Sequence, residues 1–200
     1  MKLYLAPGAC SLADHIALHE AGFDFDRVTV DLKAKTTEDG RDYNQVNPKG
    51  YVPALQLDDG QVLTENVAIL SWIADQDPSL APAGPMGRYR LLEALAFITA
   101  EIHKGFKPFF RPDSTPAEKA AAGELLGKRF GYLAKGLKDD YLFGGQVSVA
   151  DCYLFVMCLW AQKNGLDLPA PLPAFVARMK SRPAVRLALE HEGLTEPARS

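Results

Sequence analysis

Between positions 78 and 85 the chain carries Pro78, Pro82, Gly84 and Pro85, and no helix or central strand runs through four such breakers. The cluster divides 200 residues into two parts with different periodicities. Upstream, strand and helix signals alternate. An apolar segment spans Lys2 to Ala6, a helix runs from about Ser11 to Ala21 and is stopped by Gly22, and a strand lies at Arg27 to Val30. That order is a β-α-β unit. After the polar stretch Lys33 to Asn47, the segments Val52 to Leu57 and Val62-Leu63 flank Asp58-Asp59-Gly60, a turn that predicts an antiparallel hairpin. A helix from about Glu65 to Asp75 follows, with Val67, Ile69, Leu70 and Ile73 as its apolar stripe. Beyond the breakers the pattern is helical throughout, over Met86 to Phe110, Pro116 to Lys138, Val149 to Asn164, Pro171 to Ser181 and Pro183 to Glu190. The expected architecture is an α/β domain over residues 1–77 joined to an all-α domain over residues 86–200.

Composition narrows the function classes. A net charge of -3, with Lys and Arg scattered, provides no electrostatic footprint for nucleic acid. The longest apolar run, Cys152 to Ala161, falls far short of the ~20 residues needed to span a bilayer. Pro7-Gly8 interrupts the start before a signal-peptide apolar region develops, so a cytoplasmic protein is expected. The three cysteines do not form a disulfide framework, and Cys152 and Cys158 read as core residues of a helix. No Cys/His spacing suggests a metal site, and no tightly held cofactor is expected.

Cys10 is the leading candidate for chemistry. It follows the Pro7-Gly8-Ala9 turn and opens a helix with Ser11, where backbone N–H groups and the helix dipole favour a thiolate. The alternative is a small buried apolar residue. Thr64-Glu65-Asn66 sits where a strand ends and a helix begins. Capping explains those residues, but the same geometry suits an amino-acid headgroup, with free N–H groups for its carboxylate and Glu65 for its ammonium. Val52-Pro53 starts a strand; X-Pro statistics alone favour a trans bond there. Lys35 reads as a loop charge. His103-Lys104 lies on the first helix of the second domain, before Gly105, which permits close approach of another backbone or a ligand. Ser148 and Asp151 match a capping box, which assigns Asp151 a structural rather than a catalytic role.

Taken together, the segments Lys2-Leu3-Tyr4, Pro7-Gly8-Ala9-Cys10-Ser11-Leu12, Asn47-Pro48-Lys49-Gly50-Tyr51-Val52-Pro53-Ala54-Leu55, Leu63-Thr64-Glu65-Asn66-Val67-Ala68-Ile69, Glu101-Ile102-His103-Lys104-Gly105-Phe106 and Ser148-Val149-Ala150-Asp151 form a specific combination. In their order and spacing the chain resembles the cytosolic glutathione S-transferases, in particular the bacterial beta class, over essentially its whole length. The resemblance implies a thioredoxin-like N-terminal domain, an all-helical C-terminal domain contributing an electrophile pocket, a homodimer, and glutathione as co-substrate. It implies that Cys10, Ser11 and His103 surround the glutathione sulfur. Val52, beside a cis Pro53, would pair with the cysteinyl part, Glu65 and Asn66 would hold the γ-glutamyl end, and Lys35 would face the glycine carboxylate. Lys104 would line the same cleft, and Trp160 the electrophile pocket. Two positions depart from the family pattern: Asn66 stands where Ser or Gly is common, and Ala96 where the beta class often carries Asn. The implied activity is conjugation of glutathione to small hydrophobic electrophiles. Glutathione-dependent monothiol exchange through Cys10 and non-catalytic binding of apolar ligands are the alternatives.

Overall fold

The computed structural model describes residues 1–137 and 139–195. Five strands, β1 (Lys2–Leu5), β2 (Asp26–Asp31), β3 (Thr36–Thr37), β4 (Ala54–Gln56) and β5 (Val62–Thr64), form one sheet in the order β3-β2-β1-β4-β5. β1 runs parallel to β2, joined by α1 (Leu12–Glu20), and antiparallel to β4, with Leu3 opposite Leu55. β4 and β5 form the expected hairpin, with Leu55 opposite Leu63. Successive side chains on a strand face opposite ways. On β1, Leu3 and Leu5 therefore join the main core, while Tyr4 joins Val28, Val30, Tyr43, Val52 and Ala54 in a second cluster.

The polar stretch Lys33 to Asn47 holds two elements that composition does not announce: the short edge strand β3 and a 3-10 turn over Tyr43–Gln45. Tyr43, fully buried, anchors this stretch to the sheet.

α2 (Asn66–Gln76) closes the α/β half, and the breaker segment contains a 3-10 turn, Pro78–Leu80, whose Leu80 is buried. The two halves share a core, because Leu3, Ile16 and Ile69 belong to the same apolar cluster as Leu95, Phe130 and Phe155. At its centre is α6 (Val149–Lys163), buried on nearly every side along its apolar run Cys152 to Ala161. Cys152 and Cys158 lie on it, fully buried and unbridged, as expected.

The single helix expected over Met86 to Phe110 is interrupted. α3 (Gly87–Phe97) passes into a π turn at Ile98–His103, a 3-10 turn at Lys104–Phe106 and the short α4 (Lys107–Phe110). Pro108, in the first turn of α4, supplies no N–H to the turn before it. The remaining helices are α5 (Pro116–Gly136), α7 (Leu172–Ser181) and α8 (Pro183–His191). Lys138 and residues 196–200, included in the sequence expectation for this half, lie outside the described residues. Among the described residues no helix is long and apolar enough to cross a membrane.

Candidate functional site

A cleft of about 480 Å³ lies between the two halves. One wall consists of the Ala6–Cys10 loop, Tyr51, Val52, Pro53 and the start of α2; the other presents Thr99, His103, Lys104, Phe110, Tyr153 and Trp160.

Cys10 lines this cleft, but its thiol is not the thiolate expected from sequence. Burial and the nearby Asp14 push it up to about 12, outweighing the N–H groups of Cys10 and Ser11 that act in the opposite direction. The helix terminus is present, and desolvation wins. The thiol proton points to the Val52 carbonyl, with Sγ 3.5 Å from the oxygen. Ser11 also departs from expectation. It is fully buried and absent from the cleft lining, and its hydroxyl accepts the Ala6 N–H at 3.2 Å, closing the turn before α1.

Asp14 was not singled out by the sequence reading, although an acid four residues beyond Cys10 falls on the same helical face. It is fully buried, and burial raises its carboxyl well above the usual carboxylate range. Its Oδ2 accepts from the Asn66 amide at 2.8 Å, and its Oδ1 has no partner among the described residues. The same Asn66 Nδ2 donates to the Cys10 carbonyl at 2.9 Å. The unusual Asn66 thus ties α2 to α1 beneath the cleft. Ala96, the other departure, is exposed on α3 and outside the cleft lining.

Glu65 lies at the N-terminal end of α2 with φ 74° and ψ 127°, backbone values that cost a non-glycine residue about 1–3 kcal/mol. Its side chain makes no capping bond. Oε1 accepts instead from Lys49 Nζ and from the Tyr51 hydroxyl, each at 2.6 Å. The Lys49 and Tyr51 hydrogen bonds hold its carboxyl below the usual range, so it is ionised at neutral pH. Lys49 and Tyr51 belong to the motifs quoted above, but nothing in the residue pattern assigned them to Glu65.

The Val52–Pro53 bond is cis, as the family resemblance implied. Just ahead of it, the Tyr51 carbonyl accepts from the Tyr43 hydroxyl at 3.0 Å and from Asn47 Nδ2 at 2.7 Å, which fixes the backbone entering Val52. Lys35 does not line the cleft. Its Nζ donates to the Gly50 carbonyl at 2.6 Å, bracing the loop that carries Tyr51.

Across the cleft, burial and then the Lys104 charge push His103 down to about 4, so its ring is neutral at pH 7. Its Nδ1 is 2.5 Å from the Tyr153 hydroxyl, and its ring meets Trp160 edge-on with centroids 5.0 Å apart. Tyr153 is a further cleft residue that the sequence reading passed over as apolar helix. Gly105 accommodates protein rather than ligand: a Cβ there would come within 2.8 Å of Leu126 Cδ2. Trp160 lines the cleft, and its Nε1 donates to the Gly8 carbonyl at 2.9 Å, joining the halves. Trp160→Phe should lose this bond and some of the ring's packing against His103, Phe106 and Phe110, the bond alone being worth about 0.5–1.5 kcal/mol, or roughly 1–6 °C in melting temperature. Thermal unfolding measures it directly.

Outside the cleft, and against the expectation that no metal-type cluster forms, His15, His19 and His191 converge. The two α1 histidines are four residues apart, a spacing visible in the sequence and not used.

Residues 9–76 match the family model for the glutathione S-transferase N-terminal domain and residues 97–183 that for the C-terminal domain. Glutathione S-transferase GstA of Escherichia coli O157:H7 is 48% identical over 200 residues, covering 97% of this chain and 100% of the relative. A sphingomonad glutathione S-transferase solved in complex with glutathione is 50% identical with a TM-score of 0.90, covering 98% of this chain and 100% of that one. The beta-class glutathione S-transferase of Sphingomonas chungbukensis is 49% identical with a TM-score of 0.90 over the same shares of both chains. With both domains matched and relatives of this similarity aligned nearly end to end, this chain belongs to the glutathione S-transferase family of enzymes, in its bacterial beta class.

Proposed function

We propose that the chain conjugates reduced glutathione to small hydrophobic electrophiles. The observation that carries this reading is Glu65: an ionised carboxylate in a costly backbone conformation, not used for capping, at a helix N-terminus beside Cys10 and opposite His103. A γ-glutamyl group has the complementary charges. Its ammonium pairs with Glu65, sharing that carboxylate with Lys49 and Tyr51, and its carboxylate meets the N–H groups at the start of α2. Asn66 acts by holding α2 against α1, a role supported by its two internal hydrogen bonds. Val52 pairs its backbone with the cysteinyl part, Lys104 adds positive charge to the opposite wall, and Lys35 acts by bracing the loop that carries Tyr51.

This arrangement delivers the glutathione sulfur to the N-terminal end of α1, where the dipole stabilises it as thiolate. Cys10 stays protonated, its S–H held by the Val52 carbonyl, and does not compete as a second anion. His103, neutral and tied to Tyr153, contributes a fixed dipole rather than a charge. Ser11 maintains the turn. Trp160 and Phe110 form the apolar wall for the electrophile, and proximity contributes much of the acceleration. Homodimeric assembly and a cytoplasmic location belong to the same proposal, supported by membership of the family.

Glu65→Ala tests the headgroup. Loss of a charge-assisted contact worth about 1.5–3 kcal/mol should weaken glutathione binding roughly tenfold or more by calorimetry. Unchanged affinity in the folded variant overturns the placement.

A further inference from the structure

Three of the four histidines meet beside a hollow of about 250 Å³, lined by His15 and His191, that shares no lining residue with the cleft. His15 and His19 stand one turn apart on α1, and His191 ends α8, which packs against it. One ring nitrogen from each of the three lies within 4.8 Å of the other two. The His15 and His191 rings stack with centroids 5.7 Å apart, and the His19 ring is 5.0 Å from His15 and 5.5 Å from His191.

The hydrogen bonding points the same way. His15 Nδ1 lies 2.8 Å from Glu192 Oε1, so Nδ1 donates to the carboxylate and Nε2 is the ring nitrogen left over. That Nε2 is buried without a partner among the described residues, and so is Nε2 of His19. Buried polar atoms are almost always paired, so two orphaned nitrogens in one cluster call for an explanation. Glu192 is itself fixed, its Oε2 accepting the Gly8 N–H at 2.8 Å. A carboxylate orienting an imidazole through its far nitrogen is the usual outer support of a metal-bound histidine.

We propose that His15, His19 and His191 bind one divalent transition-metal ion of the zinc type, with water in the fourth position. Neutral imidazoles suit Zn²⁺, Co²⁺, Ni²⁺ and Cu²⁺, and three histidines with an open position are a recognised zinc set. Metal–nitrogen bonds of about 2.0–2.1 Å require nitrogens roughly 3.4 Å apart. The exposed His191 side chain supplies that movement. Charge is permissive: Arg27 lines the hollow and opposes a cation, while Glu38 and Glu192 line it and outnumber Arg27. The ion would fasten the end of α8 to α1, with Glu192 linking it to the Gly8 loop.

The test uses the full chain without an affinity tag, stripped with chelator and titrated with Co²⁺. One equivalent should bind with the intense visible absorption of tetrahedral Co²⁺, and Zn²⁺ should displace it. Because removing even a supporting partner costs 10–100-fold in metal affinity, His19→Ala and the surface substitution His191→Ala should each lose at least tenfold, whereas His103→Ala should bind as the parent does. Zn²⁺ should also raise the melting temperature of the parent and not of His191→Ala. Absence of stoichiometric binding overturns the proposal, and so does parental affinity in folded His19→Ala or His191→Ala.

Discussion

Iodoacetamide should modify Cys10 at pH 7 about a hundredfold more slowly than a free thiol, and the rate should climb about tenfold per pH unit without a plateau below roughly pH 10. A thiol at about 12 is ionised only to the order of 10⁻⁵ at pH 7. Against a free thiol near ~8.5, that is a deficit of about three and a half decades in thiolate. The more basic thiolate is intrinsically more nucleophilic and recovers about one and a half decades at a Brønsted slope of 0.4–0.5. The remaining difference is what alkylation kinetics followed by intact-protein mass spectrometry should read. A plateau near pH 7 would restore the ionised cysteine expected from sequence. Cys152 and Cys158, fully buried, should stay unmodified throughout. The same reagent-free logic separates two reactions in Cys10→Ala. The adduct with oxidised glutathione and any thiol exchange should vanish, while conjugation persists on the α1 terminus, Glu65 and His103. An adduct in Cys10→Ala, or complete loss of conjugation in a folded, glutathione-binding variant, contradicts these roles.

The difference between the two readings of Cys10 shows what sequence carries and what it does not. Helix starts, the hairpin at Asp58-Asp59-Gly60 and the breaker cluster are local signals, and the elements they predict are present to within a few residues. The turn into α1 was equally legible. The pKa of the thiol at that turn was not, because it depends on burial and on Asp14, which the assembled core brings beside it. Glu65 was legible as a residue at a helix N-terminus, yet its partners Lys49 and Tyr51 come from the segment before β4 and meet it only once the hairpin has formed. Ser11 illustrates the converse. Adjacent to Cys10 in sequence, it turns inward to Ala6, since consecutive residues at a helix start point in different directions. β3, two threonines long, falls below any periodicity that a pattern can register.

Asp151→Ala should destabilise the fold by about 3–5 kcal/mol, among the larger effects of a single substitution, and should not slow the chemical step while the protein remains folded. The carboxylate is fully buried and accepts three hydrogen bonds: from the Leu142 N–H at 2.9 Å, the Ser148 N–H at 2.8 Å and the Ser148 hydroxyl at 2.6 Å. Removing it strands all three donors, whereas Ser148→Ala removes one of them, the hydroxyl, at a cost of about 0.5–2 kcal/mol. Burial pushes the Asp151 carboxyl up to about 6 despite those bonds. With the folded pKa above the unfolded one, its contribution is complete below about pH 4 and is lost as pH rises through about 6. Asp151→Asn does not ionise, so the parent's advantage over it should be larger at pH 4 than at pH 7.5 in denaturant unfolding. The consequence for function runs through α6, which carries Tyr153 and Trp160 to the cleft wall. Turnover of Asp151→Ala should therefore match the parent at low temperature and disappear with unfolding. Full stability with lost turnover would instead place Asp151 in the reaction, which its absence from the cleft lining argues against.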